Sequence, residues 1–120
     1  MGDRGNIVMD YGENQQIFFY THWHGSDIQS ILQASLMRAK QGDRLDDAPY
    51  LSRIIFCDLC QGEERDLTGF GITPYACDTE HPYLIVDLPN QRVRRDGSVW
   101  TFEEYIRRTD LEEQWPISAS

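Results

Sequence analysis

The sequence has a single lysine, Lys40, three cysteines and only short apolar runs such as IFF and YLIV. Each scarcity excludes something. A membrane span needs about 18 consecutive apolar residues, so no run here serves as one. Eleven Lys and Arg residues against twenty Asp and Glu residues leave a net charge of −9. That balance opposes attraction to phosphate backbones and anionic membrane surfaces, which argues against direct nucleic-acid binding. Cys57, Cys60 and Cys77 are an odd number, and the chain opens without a basic stretch leading into an apolar one, a pattern that points to a reducing cytoplasm. No Walker loop, G-x-G-x-x-G or G-x-S-x-G occurs, so phosphate-loop, dinucleotide and α/β-hydrolase chemistries lack their parts. The acid pairs Glu63-Glu64, Glu103-Glu104 and Glu112-Glu113 are sequence neighbours that read as solvated or as answering a helix dipole, and carry no catalytic assignment.

With 40% hydrophobic residues in 120, the chain suits one domain over residues 1–120, with a polar tail from about residue 110. Asn6 to Met9 and Gln16 to Trp23 are β-prone and flank DYGEN, whose Gly12 and Asn14 tolerate positive φ, so they predict a hairpin. Ile28, Ile31, Leu32, Leu36 and Ala39 recur at helical spacing, with Gly25 or Ser26 as cap and Gly42 just past the end. A second helix follows Asp46 or Asp47, with Pro49 in its first turn, Leu51, Ile54, Ile55 and Leu59 on one side, and Gly62 at its end. TGFGI reads as a short strand, and YLIVD and RVRR as a second hairpin. Thr101-Phe102-Glu103-Glu104 reads as a capping box opening a short helix through Arg108. The expected fold is α+β, a small antiparallel sheet of two hairpins plus a short strand, covered by two main helices.

The stretch Tyr20 to Asp27, YTHWHGSD, resembles the opening of the metallo-β-lactamase-type hydrolase signature T-H-x-H-x-D-H. On a strand His22 and His24 would share a face and could converge on a metal with Asp27. The stretch departs from the signature at two points: Gly25 and Ser26 both separate His24 from Asp27, and Ile28 stands where the last His belongs. Without a metal, Trp23 enters the core, and His22 and His24 beside Tyr20 line a polar-aromatic patch able to bind a small ligand.

Cys57-x2-Cys60 followed by Cys77-x3-His81 supplies the four ligand types of a Cys3His zinc site, although Cys57 and Cys60 lie in a helix-periodic segment where free cysteines pack as small apolar residues. Arg92 and Arg94 would share one strand face and could grip a carboxylate or phosphate, against the plainer reading of a charged edge strand. The succession THW-x-G, YLSRIIF, TGFGI, YLIVD and FEEYI resembles that of small proteins of bacteria and their phages. The resemblance implies no established activity or catalytic residue. It implies a compact accessory protein that binds and blocks a host protein or captures a small anionic ligand. The expectation is therefore a cytoplasmic, non-enzymatic binding protein without cofactor, able to form a homodimer. The alternatives are a metal-dependent hydrolase using His22 and His24, and a structural-zinc interaction module.

Overall fold

The computed structural model describes residues 2–111. Its elements are β1 (Gly5–Asp10), β2 (Gln16–Thr21), a 3-10 turn (Gly25–Asp27), α1 (Ile28–Gln41), α2 (Ala48–Cys60), β3 (Phe70–Thr73), β4 (Leu84–Asp87), β5 (Arg92–Arg95), β6 (Ser98–Thr101) and α3 (Phe102–Ile106). The six strands form one mixed, mostly antiparallel sheet in the order β3-β2-β1-β4-β5-β6, with two main helices and a short C-terminal one. The fold is α+β. Among the described residues no helix is long and apolar enough to cross a membrane.

The helices form where the apolar spacing places them. Ile28, Ile31, Leu32, Leu36 and Ala39 of α1 are buried, and meet Leu51, Ile55 and Leu59 of α2. Both sets pack with one face of the sheet, to which Ile7, Met9, Phe19, Leu84, Val86 and Val93 contribute. Fully burying a side chain of this size contributes about 1.5–3 kcal/mol, so this layer accounts for most of the drive to fold. Asp47 caps α2, accepting from the Tyr50 N–H, with Pro49 in the first turn. Residue Gln61 then turns left-handed at φ 53 and ends the helix one position before Gly62. Thr101 and Glu104 form the capping box of α3, which stops at Ile106, short of Arg108.

Three features differ from the sequence reading. First, β4 lies parallel to β1, with Ile7 opposite Leu84 and Val86 opposite Met9. The β1–β2 hairpin leaves one edge of β1 free, and the chain comes back to that edge from the end where β1 begins. Second, Ser98–Thr101 is a sixth strand, which pairs with β5 across the Asp96-Gly97 turn. Third, Asp27 rather than Gly25 or Ser26 is the N-cap of α1, and it makes no side-chain capping bond. Trp115 and Pro116 of the expected tail lie outside the described residues.

No helix packs on the second face of the sheet among the described residues. The strand register turns Asn6, Val8, Phe18, Tyr20, Ile85 and Arg94 toward it. Residues 74–83 cross this face as a strap. Asn6 Nδ2 donates to the carbonyls of Cys77 and Asp78 at 3.4 and 3.0 Å, and the Tyr83 hydroxyl donates to the Cys77 carbonyl at 3.1 Å. The Tyr83 ring meets Phe18 edge-on at 5.9 Å.

Candidate functional site

Strand β2 ends at Thr21 because that side chain takes over the backbone. Its Oγ1 accepts from the N–H groups of Trp23 and His24 at 3.3 and 3.1 Å, bending the chain out of the sheet. His22 and His24 therefore lie beyond the strand, and the two-residue alternation that would aim them together no longer applies. His22 Nδ1 is 2.9 Å from the Tyr20 hydroxyl, whereas His24 stacks on Phe70 at 5.9 Å and lies 3.9 Å from the Asp27 carboxylate. Trp23, expected in the core, is 51% exposed. It leans edge-on against His22 at 4.4 Å, and the Cβ direction of Gly69 points at its indole nitrogen.

An N-terminal arm closes this corner. The Asp3 N–H donates to the His22 carbonyl at 2.7 Å, and the Asp3 carbonyl accepts from Gly25 at 2.7 Å. Asp3 Oδ2 accepts from the Ser26 N–H at 2.9 Å, and Oδ1 lies 2.5 Å from His81 Nε2. Burial alone would raise the Asp3 carboxyl, but the bonds from His81 and Ser26 outweigh it and hold the group below the ordinary value of 3.8. Asp27 goes the other way: burial raises it, nearby Asp3 adds to the rise, and His24 opposes only in part. All three histidines gather at this end of the sheet, each against a different partner.

The four zinc-ligand types are dispersed. Cys60 is fully buried on α2, and burial, reinforced by Glu64, Cys57 and Glu63, pushes its thiol up to about 12. Cys57 is half-buried on the same helix, Cys77 sits in the strap with its Sγ 3.8 Å from the Tyr75 carbonyl, and His81 is bound to Asp3. Among the described residues no group of three or more His, Cys, Asp or Glu side chains is placed to hold a metal ion. Arg92 and Arg94 do share a strand face, but Arg92 is exposed while Arg94 reaches Asp87 at 3.0 Å and Asp10 at 3.6 Å. They stand near the far end of β1 from His22, His24 and Tyr20, so the two halves of the expected ligand patch are not brought together. A cleft of about 390 Å³ beside the start of α1 is lined by Asp27, Gln29, Arg108 and Asp110, and Arg108 is already held there by Asp110 and Gln29.

What the corner does adjoin is the open edge of the sheet. Strand β3 is outermost, paired on one side with β2. Seven large hydrophobic residues are exposed among the described ones, and four of them, Trp23, Leu67, Ile72 and Tyr75, belong to this strand or its immediate surroundings. Leu67 is fully exposed. The loop before β3 carries Glu63, Glu64 and Asp66, all exposed and without an ion-pair partner among the described residues. Sequence reasoning missed this patch. Its signal was Leu67 standing alone after the charged run EERD, directly ahead of the glycine-spaced strand.

No known protein family, curated protein or solved structure matches the chain.

Proposed function

We propose that the protein is a non-enzymatic binding protein that docks onto another protein through the edge of its sheet at β3. The observation that carries this reading is the placement of Trp23, Leu67, Ile72 and Tyr75, all exposed, on or beside one edge strand. Single exposed apolar residues are ordinary, but a group of them at one edge marks a contact surface. The histidines favour docking over chemistry, since His22 and His81 are each bound to a neighbouring side chain and His24 is stacked on Phe70. Capture of a small anion by Arg92 and Arg94 loses support because Arg94 is already neutralised by two carboxylates.

Photo-crosslinking in the native cells tests the proposal. A photoreactive residue at Ile72 or Tyr75 should give discrete heavier adducts, and one at Met37 on the exposed side of α1 should give none. Leu67→Glu, at a site that contributes no packing, should lower the adduct yield about tenfold by removing an exposed contact. Equal adducts from Ile72 and Met37, or no adduct from either edge position, would sink the proposal.

A further inference from the structure

We infer that the partner contributes an extended, lysine- or arginine-rich segment that adds to β3 as a seventh strand of the sheet. The inference rests on the docking reading and specifies its chemistry. The His22 N–H donates to the Gly69 carbonyl at 2.8 Å, and Tyr20 opposite Gly71 and Phe18 opposite Thr73 follow in the same antiparallel register. Bonded pairs alternate along such a ladder, so the backbone groups of Gly69, Gly71 and Thr73 face β2, while those of Phe70 and Ile72 face outward. Two N–H and two C=O groups are thus presented along a strand whose sequence, FGIT, holds neither a charge nor a proline. Those are the devices by which edges ordinarily repel a further strand. Ile72, 56% exposed, couples an outward backbone to an apolar side chain, and Trp23 lies beside Gly69 at the start of the strand.

Charge selects the occupant. Residues 61–80 hold five acids, Glu63, Glu64, Asp66, Asp78 and Glu80, against Arg65 alone. Asp78 and Glu80 lie farther in, beside Arg4 and Asn6 at the start of β1, so it is the exposed Glu63, Glu64 and Asp66 of the loop ahead of β3 that favour cationic side chains on an incoming strand. A second copy of the chain is the competing occupant, since β6 is the opposite edge and the segment from Arg92 to Arg108 has five arginines against three acids. However, Arg94, Arg107 and Arg108 of that segment already face carboxylates of their own molecule. The copy therefore offers less free positive charge than a lysine- or arginine-rich strand.

The test uses the full chain and a synthetic peptide of about ten alternating Lys and Val residues, long enough to make one strand. Amide hydrogen exchange followed by NMR should slow about tenfold or more at Phe70 and Ile72 when the peptide saturates, because those N–H groups gain acceptors. Binding should weaken about tenfold on raising the salt from low to physiological strength, and Glu64→Lys should weaken it in the same direction. A Glu/Val peptide, and a Lys/Val peptide N-methylated at alternate residues, should both fail to slow exchange. No binding of the Lys/Val peptide, binding that leaves Phe70 and Ile72 unchanged, or equal binding of the Glu/Val peptide overturns the inference. So does slow exchange at Phe70 and Ile72 without peptide that grows with protein concentration, which would put a second copy on the edge. If crosslinks from Ile72 and Tyr75 persist in any of these cases, docking stands and only the strand addition falls.

Discussion

At Gly25 a methyl group would come within 2.6 Å of the Asp3 carbonyl oxygen, 2.7 Å of His81 Cδ2 and 2.8 Å of the Arg4 carbonyl carbon. Two of the three are backbone atoms of the N-terminal arm, which has no room to retreat while it pairs with His22. Gly25→Ala should therefore cost about 1–3 kcal/mol in urea unfolding through overpacking. Gly42→Ala, where the nearest atom is 3.6 Å away, should stay within about 0.5 kcal/mol. Equal losses would show that the arm is not the constraint. The arm also carries an acid dependence through Asp3. A carboxyl lowered on folding stabilises the folded state above its unfolded pKa, and that contribution is lost as pH falls through the folded value. Since the Asp3 carboxyl lies below 3.8, the Ser26 amide that donates to its Oδ2 should exchange faster, relative to the intrinsic rate, at about pH 2.5 than at about pH 5. Asp3→Asn should remove most of that difference, and a Ser26 amide indifferent to acid in the parent chain would refute the coupling.

Between the two main helices, the element scale is governed by one buried carboxylate. Asp58 of α2 accepts from Ser35 Oγ at 2.7 Å and from Arg38 at 2.6 Å, both on α1, while being only 6% exposed. Removing it takes away both bonds across the helix pair, although Ser35 Oγ keeps the Ile31 carbonyl at 3.0 Å and Arg38 keeps contact with solvent, so Asp58→Ala should lower stability by about 1.5–3 kcal/mol. Ser35→Ala, which leaves the ion pair in place, should cost about 1 kcal/mol, and a reversed order in chemical denaturation would contradict this account. Both helices, the β1–β2 and β4–β5 hairpins and the α3 capping box were legible in sequence, because each is set by spacing and turn residues within a few positions. Pairing of β1 with β4 was not, because it joins segments some 77 positions apart, as Ile7 and Leu84 are. SVWT was too short to stand out, although Val93 pairing with Trp100 gives it a partner in the core. Of the site, His22, His24 and Tyr20 were found from their proximity in sequence, but their orientations depend on Thr21 bending the chain, and Trp23 went outward with that bend.

Across the whole molecule, charge is unevenly laid out beneath a net of −9. The acidic loop of Glu63, Glu64 and Asp66 precedes β3 at one end of the strand order, and the arginines of β5 and the α3 terminus flank the other end. Such a separation orients an approaching charged partner before contact, which raises encounter rates at low salt more than final affinity. The parallel pairing at the centre of the sheet bears on how the chain is made. Synthesis delivers β1, β2 and both long helices well before Leu84–Asp87, yet β4 is the strand that closes the open side of β1. A nascent chain halted before Leu84 holds Ile7 and Met9 on a β1 paired on one side only, though that strand is central at full length. The interval between helix emergence and the arrival of β4 is thus the period in which a ribosome-associated chaperone has most to shield.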